Sequence, residues 1–306
     1  MTSRNGDVDF FQVARILWKD RVAISVVSLS ITVLVIVVLQ FVPDSYRAEA
    51  LLAPKVQGSS SGLAALAGRY SDLASLAGIS VGGESSDKTK LAIEILRSRR
   101  FITDFIESRN ALIPLLAADS WNAETGQLAI DQSKYDSDRR QWVRDVRPPK
   151  SPVPSPNEAY EAFSELLRVW RDAETGFVRV SIEHLSPVVA KRWVDELVSE
   201  LNRVVLERDV QQAENAIDYL QSQIEGTSLA DLRAVFFRLI EEQTQTLVLA
   251  KVSPEYVFQT IDPAVVAEEK SGPARIKYAL FTLVLSLFSM MSLSLFRSFL
   301  ERRDSE

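Results

Sequence analysis

IDPAVVAEEKSGPARIKYALF, from Ile261 to Phe281, decides how the chain is organised. Two prolines, the pair Glu268-Glu269 and the cations Lys270, Arg275 and Lys277 stand directly against an apolar run. Pro273 blocks helix continuation from upstream, and Arg275 with Lys277 mark a water-facing boundary for that run. From Tyr278 to Phe296 no side chain is charged, and a helix of that length rises about 28 Å, the thickness of a bilayer's hydrocarbon core. Its polar residues, Thr282, Ser286, Ser289, Ser292 and Ser294, carry hydroxyls that can bond back to the helix, so they do not forbid a span. The segment reads as the entry to a membrane helix over 278–296.

A second run, 22–42, is richer still in Val, Ile and Leu, and predicts a first span. Ala48-Glu49-Ala50 offers a signal-cleavage pattern, but the apolar run is longer than the roughly 7–15 residues of a signal core. Arg4, Arg15, Lys19 and Arg21 precede this span and only Arg47 and Lys55 closely follow it, which places residues 1–21 in the cytoplasm. The tail, 297–306, then returns to the cytoplasm, and 43–277 forms one domain on the far side of the membrane. With no cysteine there are no disulfides or thiolate metal sites, and a net charge of −6 argues against a general nucleic-acid binder.

Within 43–277 the pattern predicts an α/β fold: a small sheet near the membrane and a long helix reaching outward. Tyr46–Leu52 reads as a strand. Residues 58–83, rich in Gly, Ala and Ser, read as a small-residue loop or a close-packing face. From Asp87, Leu91, Ile95, Phe101, Phe105 and Ile106 share one helical face, with a break near Ser98. PPKSPVPSP, Pro148–Pro156, predicts an extended connector, with a proline-recognition ligand as the alternative; a helix over 157–171 follows.

Val178, Val180 and Ile182 alternate with polar residues as in a half-buried strand. Ser186-Pro187 caps a helix that meets no breaker until Gly226, giving about 187–225, with an apolar seam at Val210, Ala213, Ile217, Leu220 and Ile224. Such a helix needs partners. Ser228 with Asp231 resembles a capping box opening a second helix to about Ala250, whose apolar face is Leu232, Phe236, Leu239 and Ile240. Glu255–Ile261 predicts a strand returning to the sheet.

No catalytic constellation accompanies this layout. His184 is the single histidine, and no Gly-x-Ser-x-Gly elbow or phosphate-binding loop occurs. Glu241-Glu242 and Glu268-Glu269 read as solvated surface. No enzyme, cofactor or metal is expected.

VDFFQVARILWKDR (Val8–Arg21), LRSRRFITDFI (Leu96–Ile106), TGFVRVSIEHLSPVVAKRWVDELVSELN (Thr175–Asn202) and LIEEQTQTLVLAKVSPEYVFQTIDPAVV (Leu239–Val266) together resemble the Wzz-type chain-length determinants, the polysaccharide co-polymerases of Gram-negative bacteria. The segment Ile261–Phe281 is similar to that family's proline-rich motif, carried here by Asp262, Pro263, Ser271, Pro273 and Arg275. Ala267 stands where the family often has proline and Gly272 where it often has serine. The family's glycine-rich stretch in the second span is missing, and Thr282, Ser286 and Ser289 are the candidates for close helix packing instead. The resemblance implies an inner-membrane homo-oligomer with both termini cytoplasmic and its main domain periplasmic. It implies non-catalytic regulation of O-antigen length in lipopolysaccharide, together with a membrane polysaccharide polymerase and the growing lipid-linked polysaccharide. A capsule or exopolysaccharide export subunit, or a cell-envelope scaffold, would share the layout.

Overall fold

The computed structural model describes residues 10–55, 83–227, 229–253 and 255–303. The Gly/Ala/Ser-rich segment lies outside them, apart from Gly83, and so does the expected cap Ser228. The chain divides into two units, one formed by Met1–Asp44 with Lys270–Glu306 and one by Ser45–Glu269.

The first unit holds two helices, α1 (Phe10–Gln40) and the last helix of the chain, α8 (Arg275–Arg303). The segments Trp18–Gln40 and Arg275–Arg297 are each long and apolar enough to cross a membrane. Only 17% and 11% of their most apolar windows are buried, which is unlike the core helix of a soluble protein.

The second unit is α/β. Its main sheet has four strands in the order β6-β7-β1-β8: β6 (Leu167–Arg171), β7 (Val178–His184), β1 (Tyr46–Pro54) and β8 (Phe258–Asp262). All three pairings are antiparallel, with Ala48 opposite Ile182 at the centre and a register shift between Leu51 and Leu52 on the β8 side. Alternation puts Ala48, Ala50 and Leu52 of β1 and Val178, Val180 and Ile182 of β7 in the core. The sheet is covered by α2 (Gly83–Arg97), α3 (Arg99–Ser108), α5 (Pro156–Leu166) and the first half of α6 (Pro187–Gly226), after a short α4 (Leu112–Leu116). Phe105, Phe163 and Trp193 meet at centroid distances of 5.6 and 5.5 Å and form the aromatic centre of that core. Two small hairpins, β2 (Ala118–Asn122) with β3 (Gln127–Ile130) and β4 (Tyr135–Asp136) with β5 (Gln141–Trp142), lie between α4 and α5.

Ser98 breaks the helical run as expected, its side chain accepting from the Phe101 amide at the start of α3. Leu91 leaves the expected face and is exposed, whereas Ala92, Ile93 and Leu96 are buried. The expected extended connector is bent: Pro148-Pro149 form a turn, and the Arg144 guanidinium gathers the Ser151 and Pro152 carbonyls. Its last proline opens α5, with Ser155 and Glu158 forming a reciprocal capping box.

The helix expected over 157–171 ends at Leu166, and 167–171 is strand β6. A tight turn forces this. Asp172 accepts from the Glu174 and Thr175 amides, and Gly176 adopts φ +73°, returning the chain into β7. The same device closes β2–β3, where Asn122 accepts from Glu124 and Thr125 and Gly126 has φ +66°. The turns read Asp-Ala-Glu-Thr-Gly and Asn-Ala-Glu-Thr-Gly.

Ser186 caps α6 through the Val189 amide, and the helix runs for 40 residues, about 60 Å. Its outer half packs against α7 (Ala230–Val252). The first residue before α7 is Leu229, with no side-chain cap, so no capping box is seen at the described residues. The packed face of α7 also differs from expectation: Phe236 and Ile240 are half-buried, but Leu232 and Leu239 are exposed.

Candidate functional site

The proline segment starts where β8 ends. Asp262 is the last residue of that strand, paired with Leu51, and both Asp262 and Pro263 are exposed. They belong to the α/β unit, whereas Ser271, Pro273 and Arg275 belong to the unit of α1 and α8. Between Pro263 and Lys270 the chain is neither helix nor strand; Ala264 is buried, and Val265 and Val266 are exposed. Ser271 is exposed and Pro273 half-buried.

Arg275 opens α8, and its side chain reaches the end of α1. Nε donates to the Leu39 carbonyl at 3.1 Å and Nη2 to the Val42 carbonyl at 3.0 Å. Nη2 also lies 2.9 Å from Asp44 Oδ1, and Lys270 Nζ lies 3.5 Å from Asp44 Oδ2. Asp44 was not singled out by the sequence; its one local signal is its place after Pro43 at the end of the apolar run.

Along the helix pair, α1 packs on α8, and Ile24, Ser28 and Thr32 form a buried stripe at four-residue spacing. On α8, Ser286 is buried, Thr282 is half-buried and Ser289 is exposed. Thr32, Thr282 and Ser286 donate to the Ser28, Tyr278 and Leu283 carbonyls, which removes the cost of hydroxyls in an apolar setting. At the opposite end Ser294 Oγ donates to Asp20 Oδ2 at 2.7 Å.

In the α/β unit, one side chain ties the long helix to the strand that feeds the proline segment. Asn202, on α6 and 3% exposed, accepts from the Val257 and Phe258 amides at 2.8 and 2.9 Å and donates to the Phe258 carbonyl at 3.0 Å. Asn202 thereby satisfies the outer edge of β8 at its first residue, Phe258. Sequence reasoning missed it, because an Asn in a helix reads as ordinary surface. Two turns further along α6, Asp209 accepts from the Tyr256 hydroxyl at 2.9 Å. A cavity of about 170 Å³ opens beside this pair, lined by Lys55, Lys88 and Arg208 among others. Lys55 donates to Ser253 and to the Glu255 carbonyl, and Lys88 pairs with Asp209, so two of its cations hold the backbone and helix surface together.

The outer hairpin leaves a second apolar row uncovered. On α7, Phe236, Ile240, Leu247 and Ala250 turn toward α6, and beside them Leu232, Val235, Leu239 and Leu249 are 41, 52, 39 and 44% exposed. The exposed row follows the three-and-four spacing of a helix-packing seam, interrupted by Glu242 and Thr246.

His184 has a structural role. Its Nδ1 accepts from the Ser186 amide at 3.0 Å, so Nε2 carries the proton and donates to the Pro114 carbonyl at 2.9 Å, while the ring meets Trp193 edge-on. Burial holds its pKa below the usual histidine value. Glu241, Glu242, Glu268 and Glu269 are exposed, and no group of three or more acidic or histidine side chains able to hold a metal occurs among the described residues.

These features describe an α/β unit with a protruding helical hairpin, flanked in sequence by two helices of membrane-spanning length. A family model described as "Chain length determinant protein" matches residues 6–108, which hold α1, β1, α2 and α3. The chain is similar to a structure titled "full-length bacterial polysaccharide co-polymerase", at 11% identity and TM-score 0.38, over 97% of this chain and all of that one. It is also similar to a fragment of WzzB, polysaccharide co-polymerase from Salmonella Typhimurium, at 13% identity and TM-score 0.30, over 75% of this chain and all of the fragment. No curated protein matches.

Proposed function

We propose that the chain is a non-catalytic regulator of polysaccharide chain length, acting on O antigen as a membrane-anchored homo-oligomer with the inner-membrane polymerase. The observation that carries this reading is the match of residues 6–108 to the chain-length determinant family. Three features of the chain support it: two helices of spanning length, an exposed apolar row on a protruding hairpin, and carboxylates and a histidine committed to surface or structure.

In this reading 1–21 and 297–306 are cytoplasmic, 22–42 and 278–296 span the inner membrane, and 43–277 is periplasmic. In sequence the sheet is the part of the domain joined to both spans, because β1 begins two residues after Asp44 and β8 runs into the segment that leads to α8. The row Leu232, Val235, Leu239 and Leu249 meets a second copy, since helices packed at such spacing bury each other's apolar seam. The proline segment, Asp262 to Arg275, communicates with the polymerase.

The test is a gel of surface lipopolysaccharide from cells with the gene deleted and then restored. Loss of a clustered length distribution on deletion, and its return on restoration, is the expected result. An unchanged ladder rejects O-antigen control; altered capsule or exopolysaccharide in the same cells would move the reading to those polymers.

A further inference from the structure

A helix end leaves its last carbonyls without intrahelical partners, and α1 has no basic residue in its last turn to answer them. Near hydrocarbon, where water is scarce, unanswered carbonyls are costly. Arg275 answers one of them, at Leu39, from the start of the other helix, takes the Val42 carbonyl just past the helix end, and holds Asp44 with the same guanidinium. A planar fork of donors suits two carbonyls with a carboxylate beside them, whereas a lysine ammonium is a point charge and cannot reproduce the arrangement. Ser294 and Asp20 join the opposite ends, and Ser28, Thr32 and Ser286 fill the interface between.

We propose that Arg275 is a positioning residue: it caps α1 from α8 within one chain and so sets the register of the two helices, with Asp44 as its counter-charge. This rests on the two-span reading and deepens it. Arg275 is committed to its own chain, and contact with the polymerase falls to other residues of the segment.

The cysteine-free sequence allows spin labels at Gln40→Cys and Ile276→Cys, both exposed beside the clasp, and at Val22→Cys and Leu293→Cys toward the other end. The full chain is reconstituted in lipid and diluted with unlabelled copies, and label distances are read by pulsed electron paramagnetic resonance. The parent gives a narrow distribution at both pairs. Arg275→Gln broadens the Gln40/Ile276 pair about twofold or more, Arg275→Lys broadens it less, and Asp44→Asn, which keeps both carbonyl bonds, stays near the parent. A parent-like width in Arg275→Gln overturns the proposal. If that variant fails to accumulate in membranes, Arg275→Lys decides, and a parent-like width there overturns it equally. Lipopolysaccharide length is read in parallel. A broadened pair with unchanged lengths supports the clasp and separates it from length control; a narrow pair with lost length control overturns the clasp and leaves the regulatory reading standing.

Discussion

Replacing Asn202 by Ala tests whether the long helix and the strand that leads to the proline segment form one body. The amide side chain makes three hydrogen bonds to backbone groups of Val257 and Phe258, all buried. Removing it orphans two N–H groups and one carbonyl, each worth about 1–3 kcal/mol when left unpaired. A water entering the space would recover part of this, so the expected loss is about 3–5 kcal/mol. That is a large share of the ~5–15 kcal/mol holding a typical domain. At about 2–4 °C per kcal/mol for a unit of this size, Tm falls by roughly 6–20 °C. Asn202→Leu separates hydrogen bonding from volume: it fills the space without donors or acceptors and loses as much. The assay is thermal unfolding of the full chain in detergent, followed by near-ultraviolet circular dichroism, since Trp193 is fully buried in the core that melts. A fall of less than about 1 kcal/mol in both variants would refute the reasoning, because β8 would then be held by its pairing with β1 alone.

Acidification is expected to loosen the same unit. The His184 pKa is lowered in the fold by burial, so its stabilising contribution is complete above the unfolded value near 6.5 and is lost as pH falls from there toward the folded value. Tm is therefore expected to be flat from pH 8 to about 6.5 and to decline below it; a flat Tm down to pH 5 would count against the assigned tautomer and its bonds. Ser155→Ala removes half of the capping box at α5 and should cost about 1 kcal/mol, seen as a Tm lower by ~2–4 °C, and no change would mean that the Ser155 hydroxyl adds nothing to the bonds Glu158 makes with Arg144, Lys150 and the Ser155 amide. Leu239→Arg on the exposed row should dissociate the oligomer in light scattering while leaving Tm within about 0.5 kcal/mol, and an intact oligomer would remove that row from the interface. Pro263→Ala with Pro273→Ala should broaden lipopolysaccharide lengths without loss of membrane insertion; unchanged lengths would count against a role for the segment.

Elements with long repeats or strong punctuation were legible in the sequence. The two apolar helices, the strand around Val178–Ile182 and the Ser-Pro start of α6 appear where periodicity and capping put them. Short elements were not legible by the same means. Leu167–Arg171 holds only five residues, too few for a period of two to compete with the helix before it. The repeated Ala-Glu-Thr-Gly after Asp172 and Asn122 was the available signal, because an Asx side chain and a glycine at positive φ specify a tight turn. The expected face of α7 joins two adjacent rows: Phe236 and Ile240 are half-buried whereas Leu232 and Leu239 are exposed, and only contact with α6 separates them. Asn202 and the Arg275–Asp44 pair depend on residues distant in sequence, and no local pattern encodes them.

The proline segment is thus fixed at both ends by unlike chemistry. Upstream, Asn202 of α6 binds the start of β8, the strand that ends at Asp262. Downstream, Arg275 binds the end of α1, so the first turn of α8 cannot shift without exposing the Leu39 and Val42 carbonyls. Between them Pro263–Lys270 has no helix or strand to absorb strain internally, and proline restricts φ at Pro263 and again at Pro273. Proline fixes φ and alanine does not, so alanine at Pro263 and Pro273 is expected to loosen the link while leaving each unit folded.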